Sequence, residues 1–183
     1  MKIIVVDRYS CDFMLKNGMN KQESCFIYGV VDKNYVLVNG NSYDEEKRKE
    51  LGVAILPLPL NMGGSLVISE GDIEVGILVP EGAGNYYVSD FVEYLLKFLH
   101  DKDIPAIYDG NDILIRGYKV CGIAQMLRNG MAYVAVHIAV NVDLELIRQI
   151  CTKPMNKEPK GLSEWGVTTE ELVEVLREYG NSR

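Results

Sequence analysis

Lys119 is the residue of this chain whose setting most invites chemistry. It stands between Tyr118 and Val120 in the stretch NDILIRGYKVCGIAQ, residues 111–125, an apolar and strand-forming run with glycines at positions 117 and 122. A lysine in a strand ordinarily projects into solvent. An ammonium fixed in a cleft has a different use: it holds a carboxylate or a phosphate and stabilises the charge that develops in a displacement at phosphorus. Regular alternation places Lys119 and Cys121 on one face of the strand, with Tyr118, Val120 and Gly122 on the other. Asn111 and Asp112 follow Gly110 at the mouth of a strand, where side chains reach a cleft.

Other candidates are less pointed. Gly63 and Gly64 follow a proline-broken strand, and paired glycines either let a ligand approach the backbone or make a tight turn. His137 lies mid-strand between Val136 and Ile138, as a hydrogen-bonded core residue or a ligand; the other histidine, His100, falls on a helix far away in sequence. The four cysteines, Cys11, Cys25, Cys121 and Cys151, form no CxxC pair, which with two histidines argues against structural zinc. Cys121 and Cys151 have no histidine close in sequence to activate them and default to small buried hydrophobes. There is neither a GxGxxG nor a GxxxxGK[ST] fingerprint.

The elements that must position these residues follow from periodicity. Residues 3–6 open as a strand, and residues 7–18 have helical spacing that stops at Gly18. SCFIYGVV and NYVLVN are strand-like and joined by DKN, a hairpin signal; GGSLVIS and IEVGILVP form a second strand pair around EGD. SYDEEKRKELG predicts a short helix with Ser42 as its cap, and VAILPLPL a strand that Pro57 and Pro59 force to an edge or into a loop. Apolar residues from Tyr87 to Leu99 recur as a helical stripe. DILIRG, KVCGIAQMLR and MAYVAVHIAVNV predict three strands, the last two joined at Asn129-Gly130. Asp143 opens a helix, and Thr168 with Glu171 forms the capping box of a last one. Strands that pair locally, with helices interspersed, predict an α+β fold: a largely antiparallel β-sheet with flanking helices on one face.

Composition bounds the function. The 183 residues suffice for one domain, taken as residues 1–183 with no accessory C-terminal domain. A formal net charge of -7 and no basic patch argue against nucleic acid. No apolar run reaches the ~18 residues needed to cross a bilayer, and the first residues read as a strand rather than a signal peptide. A cytoplasmic protein is expected.

Taken in order, these stretches resemble a known family. GNDILIRGYKVCGIAQ is similar to the lipoate–protein ligase motif NDIxxxGxKxxGxAQ, with Lys119 at the family's catalytic lysine. HIAVNVDLELI is similar to the family's HxxxxxNxDLxxL, and NKEPKGLSEWGVTTEEL resembles the segment beyond it. The related biotin protein ligases share the NDI-and-lysine strand. The resemblance implies the ligase catalytic-domain fold and an activity: lipoate or octanoate reacts with ATP to give acyl-AMP, and a lysine of an acceptor lipoyl-domain protein then displaces AMP. It implies Lys119 as catalytic residue, and Gly63, Gly64, Ser65, Asn111, Asp112, Gly122, Ala124, Gln125 and His137 as substrate- or adenylate-binding residues. Asp112 would hold Mg2+, which suits oxygen ligands. One stretch departs: where the family reads RRxSGGGxVxHD, this chain has LPLPLNMGGSLVIS, and no arginine occurs between Arg48 and Arg116. That departure favours an alternative, a catalytically reduced homologue that binds an acyl or nucleotide ligand or a carrier domain. A further branch, the octanoyltransferases, uses a cysteine nucleophile; Cys151, in QICTKP, and Cys121 are the candidates here, Cys151 about two residues early for that branch.

Overall fold

Ile73–Pro80 (β6) is an almost continuous apolar run, and seven of its eight residues are buried, as expected of a strand covered on both faces. In the computed structural model, which describes residues 1–6, 23–38, 43–57 and 66–183, β6 is near the middle of a seven-stranded sheet of order β1-β2-β6-β10-β9-β8-β7. Its other members are β1 (Lys2–Val6), β2 (Cys25–Val30), β7 (Ala106–Asp109), β8 (Asp112–Ile115), β9 (Tyr118–Arg128) and β10 (Met131–Ile138). Within this sheet, among the described residues, the β1–β2 pair is parallel and the others are antiparallel. A three-stranded sheet contains β3 (Tyr35–Val38), β4 (Ala54–Pro57) and β5 (Leu66–Ile68), in the order β4-β3-β5. The expected edge position of the proline-bounded strand holds.

The described elements also include helices α1 (Glu45–Glu50), α2 (Gly84–Asp101), α3 (Leu144–Ile150) and α4 (Thr169–Asn181), and short 3-10 turns at Glu81–Ala83 and Leu162–Trp165. The apolar stripe of α2 buries Phe91, Val92, Leu95 and Leu99, and α4 adds Leu172, Leu176 and Tyr179. Both pack on Val75, Ile77, Val134 and Val136, so they cover one face of the large sheet. α3 turns instead to the small sheet, where Leu146, Ile147 and Ile150 meet Val36, Val53 and Val67. The Asp143 cap and the Thr168–Glu171 capping box form as expected, and Asn129 (φ 53°) and Gly130 (φ 74°) make the tight β9–β10 turn. No helix among the described residues is long and apolar enough to cross a membrane.

Two expected pairings are replaced. β2 does not form a hairpin with β3, nor β5 with β6. Each strand pairs with the more distant run: β2 with β6 (Val30↔Ile73) and β3 with β5 (Tyr35↔Ile68). Residues 31–34 and 69–72 are therefore paired crossings from one sheet to the other, tied by Val31 N–H to Asp72 O (2.8 Å) and Gly71 N–H to Val31 O (2.9 Å). Both ladder edges of β2 and of β6 are already used within the large sheet, which leaves no room for β3 or β5 beside them. The cap of α1 is Asp44, which accepts from Lys47 N–H, and not Ser42; Ser42 and the helical spacing at residues 7–18 lie outside the described residues.

Beyond β10 the chain passes through α3 and returns across residues 139–142. Leu162 N–H bonds to Ala139 O and Ser163 N–H to Val140 O. At the crossing, a Cβ on Gly161 would overlap the Val140 carbonyl, 2.9 Å from its carbon, with Val142 N at 3.1 Å. Only glycine fits without moving backbone. Gly161→Ala is expected to cost about 1–3 kcal/mol, read as a lowered midpoint in chemical denaturation. Gly82→Ala, with open space around the added methyl, is the near-neutral control.

Candidate functional site

Residues directly opposite one another in adjacent strands point to the same face of a sheet. The registers Gly29↔Glu74↔His137↔Gly122↔Asp112↔Asp109 thus define one polar row across five neighbouring strands and on to β7. The row occupies the face turned away from α2 and α4, since Val75 and Ile77 of β6 point at those helices and Glu74 does not.

Lys119 joins this row through a β-bulge. Ile113 pairs with Cys121 and Leu114 with Lys119, so Val120 has no opposite number. The expected sharing of a face by Lys119 and Cys121 is overturned at this point, because the extra residue resets the alternation. Val120 and Cys121 both sink into the helix-side core, each 1% exposed, and Lys119 swings over Gly122. A Cβ at Gly122 would lie 3.0 Å from Lys119 Nζ. The backbone of Lys119 is held from its other side by the returning chain: its N–H donates to Glu158 O (2.9 Å), and its carbonyl accepts from Lys160 N–H (3.0 Å).

Lys119 Nζ lies 2.7 Å from Asp112 Oδ1. The second oxygen of Asp112 meets Lys157 Nζ at 3.0 Å, and Lys157 also reaches Asp109 Oδ2 at 2.9 Å. Partial burial pushes the Asp112 carboxyl up, but the hydrogen bonds from Lys119 and Lys157 outweigh it and hold the group below the usual carboxylate range. The two carboxylates that converge on Lys157 form a donor set that suits magnesium, which takes one or two carboxylates and completes its shell with water and phosphate. Among the described residues no cluster of three or more metal-ligating side chains exists.

Further along the row His137 is clamped by two buried acids. Its Nδ1 is 2.5 Å from Glu74 Oε1 and its Nε2 3.5 Å from Asp72 Oδ2. Asp72 in turn accepts from the backbone N–H groups of Ser69, Val140 and Asn141, at 2.8, 2.7 and 3.0 Å. It thereby pins the sheet crossing to the end of β10. Burial alone pulls the imidazole down, but the Glu74 and Asp72 carboxylates outweigh it, and His137 is held above the ordinary histidine value. Burial pushes Asp72 and Glu74 up.

A cavity of about 490 Å³ opens between this face and the small sheet. Val67, Ala139, Val142, Ile147 and Met155 give it an apolar side; Lys119, Asp112, His137 and Lys157 give it a charged one. Of the residues singled out from the sequence, Asp112, Lys119, Cys121, Gly122, His137 and Cys151 come together there. Cys151, at the end of α3, is half-buried with its thiol pushed up by burial. Cys121, also at the cavity wall, is almost fully buried, and its thiol is pushed up by the same effect. Ala124 shares the face of Gly122, one pair further along, opposite Ala135. Gln125 alternates to the helix side, where its amide fills the space that a Cβ on Gly84 would need. Asn111 is exposed in the turn before β8 and contributes its carbonyl, which accepts from Ile123 N–H (2.7 Å). Gly63, Gly64 and Ser65 lie outside the described residues.

Four residues of the site were missed in the sequence: Asp72, Glu74, Asp109 and Lys157. Only Glu74 carried a signal, since an acid inside an apolar strand needs a buried partner.

The family model for the lipoyl protein ligase A/B catalytic domain matches residues 19–181. The chain belongs to this family. No curated protein matches the sequence. Among solved structures, Plasmodium falciparum LipL1 in complex with lipoate is 17% identical with a TM-score of 0.77, over 96% of this chain and 57% of that one. The chain thus spans little more than half of that protein. A bipartite lipoate protein ligase from Thermoplasma acidophilum, studied with its E2 lipoyl domain, gives 13% and 0.78 over 97% and 80%. A lipoate-protein ligase A bound with ATP gives 12% and 0.76 over 96% and 83%. At these identities the likeness is one of fold, and it matches the expected α+β ligase catalytic domain. His137 precedes Asn141 by four positions, two fewer than in the motif it resembles, so it does not stand where that motif has its histidine.

The His137–Glu74 contact makes a testable statement about protons. A raised folded-state value means that the imidazolium contributes stability below about pH 6.5 and loses it as pH rises through the folded-state value. NMR titration is expected to place the His137 midpoint above 6.5 in the wild type. Glu74→Gln should bring it down, since burial then acts with one carboxylate fewer against it.

Proposed function

We propose that this chain activates a carboxylic acid with ATP and passes the acyl group to a lysine of an acceptor lipoyl domain, with lipoate or octanoate as the acid. The observation that carries this reading is Lys119 Nζ, set at the cavity wall over a glycine and oriented by Asp112 at 2.7 Å. The apolar side of the cavity, Val67, Ala139, Val142 and Ile147, suits an acyl chain. Family membership supports the choice, as do the relatives' partners: lipoate, ATP and an E2 lipoyl domain.

In this mechanism an oxygen of the acid attacks the α-phosphorus of ATP, the bond to pyrophosphate breaks, and acyl-AMP forms. The Lys119 ammonium lies between carboxylate and phosphate, where it offsets their repulsion and stabilises the charge that builds on the phosphoryl oxygens. The neutral amine of the acceptor lysine then attacks the acyl carbon, the acyl–phosphate bond breaks with its electron pair leaving on AMP, and the amine sheds a proton. Asp112, with Asp109, would hold magnesium, which supplies neutralisation of the phosphate oxygens when bound. Cavity residues exclude water from the mixed anhydride, which would otherwise hydrolyse.

Lys119→Met is expected to lower acid-dependent pyrophosphate release by about 10²–10³-fold. Its stability should change by no more than about 1 kcal/mol, since the lost ion pair is partly exposed. Unchanged release in this variant would remove the reading.

Cys151 supports a second reading, a cysteine-dependent acyltransferase, because it lines the same cavity as Lys119. Burial works against it by keeping the thiol protonated. Mass spectrometry after incubation with octanoylated carrier protein separates the two. The ligase reading expects no thioester on Cys151 and pyrophosphate release that survives Cys151→Ser. An acylated Cys151 would make the transferase the better account.

A further inference from the structure

A nucleotide triphosphate brings several negative charges into a site where Lys119 supplies one positive charge, and Asp112 already cancels it. Three cationic or protonatable side chains line the cavity among the described residues: Lys119, Lys157 and His137. The charge of His137 is balanced by Glu74 and Asp72. Lys157 remains. It grips one oxygen of the Asp112 carboxylate at 3.0 Å while Lys119 grips the other at 2.7 Å. The two ammonium groups are therefore already spaced to hold a pair of oxygens on one central atom. A phosphate presents the same kind of pair, and both ammonium groups line the cavity from which it would approach.

We propose that Lys157 is a substrate-binding residue that grips a nucleotide phosphate opposite Lys119, exchanging its bonds to Asp109 and Asp112 for bonds to phosphate oxygens. The inference rests on the nucleotide reading above. The exchange costs little because the Lys157 side chain is 31% exposed and ion pairs in such settings are weak. The pair of lysines is also mechanically coupled. Residues 158–160 are bonded to the backbone of Lys119 on both its N–H and its carbonyl, so the main chain that carries Lys157 stays beside Lys119 whichever partners the Lys157 ammonium takes. Both neighbouring carboxylates hold the Lys157 ammonium charged, through hydrogen bonds from Asp109 and Asp112.

The test is calorimetric titration of ATP, with magnesium chloride present, into the full chain as wild type, Lys157→Met and Lys157→Arg, alongside pyrophosphate-release kinetics and thermal melts. Lys157→Met is expected to weaken ATP binding about 10-fold or more, with the loss in KM for ATP rather than in kcat and no change in melting midpoint. Lys157→Arg should recover most of the affinity. Equal affinity of Lys157→Met and wild type would overturn the proposal. So would a loss that follows a lowered melting midpoint and is not recovered by arginine, which marks a structural lysine. A wild type that binds ATP in a Lys157-dependent way but releases no pyrophosphate with any acid would sink the ligase reading and leave this one standing. A wild type that binds no ATP would sink both.

Discussion

An ammonium at a cavity wall has to be held by a sheet without being swallowed by its core, and one extra residue in β9 meets that demand. With strict alternation, Lys119 would share a face with Cys121, whose side chain lies in the apolar layer beneath α2 and α4. Burying an unpaired ammonium there costs several kcal/mol. The bulge at Val120 sends two consecutive apolar side chains downward and returns Lys119 to the open face. Everything near the site follows from that reset. A Cβ at Gly122 would press on Lys119, which now crosses it, and the lysine would have to shift. The returning segment pairs with the other edge of β9 beyond the end of β10, and Gly161 lets that segment cross there in contact.

The second constraint is the pair of crossings between the sheets. A single antiparallel ribbon, β2 and β3 on one side and β6 and β5 on the other, starts in the large sheet and finishes in the small one. The bend leaves a cavity in the angle between the two sheets. Asp72 stands at the bend and satisfies three backbone N–H groups from both sides of it. Buried charges are retained only with such partners. His137 completes the arrangement by pairing with both Asp72 and Glu74, which ties the crossing to the polar row.

Much of this was visible beforehand. The α2 stripe, the Asp143 and Thr168 caps, the Asn129-Gly130 turn and the edge position of the strand at Pro57 are local features, set by residues within a few positions of one another. Lys119 and Asp112 were also legible, because the strand and turn that carry them are contiguous. Pairings were less so. DKN and EGD have the composition of hairpin turns, but they bridge two sheets, and only competition among all strands for ladder edges decides that. Gln125 and Asn111 sit in the same stretch as Lys119 and were grouped with it, yet alternation and the turn direct them elsewhere.

The sequence by itself determined the class of fold, the strand that bears the lysine and the helices that cover the other face, because these depend on period and composition. The tertiary structure alone decided which face Lys119 occupies, that Lys157 shares its carboxylate partner, and that His137 is paired with acids more than sixty positions away. The reason is physical. Bulges, crossings and buried ion pairs are settled by contacts between segments distant in the chain, and no local pattern of residues encodes which of them meet.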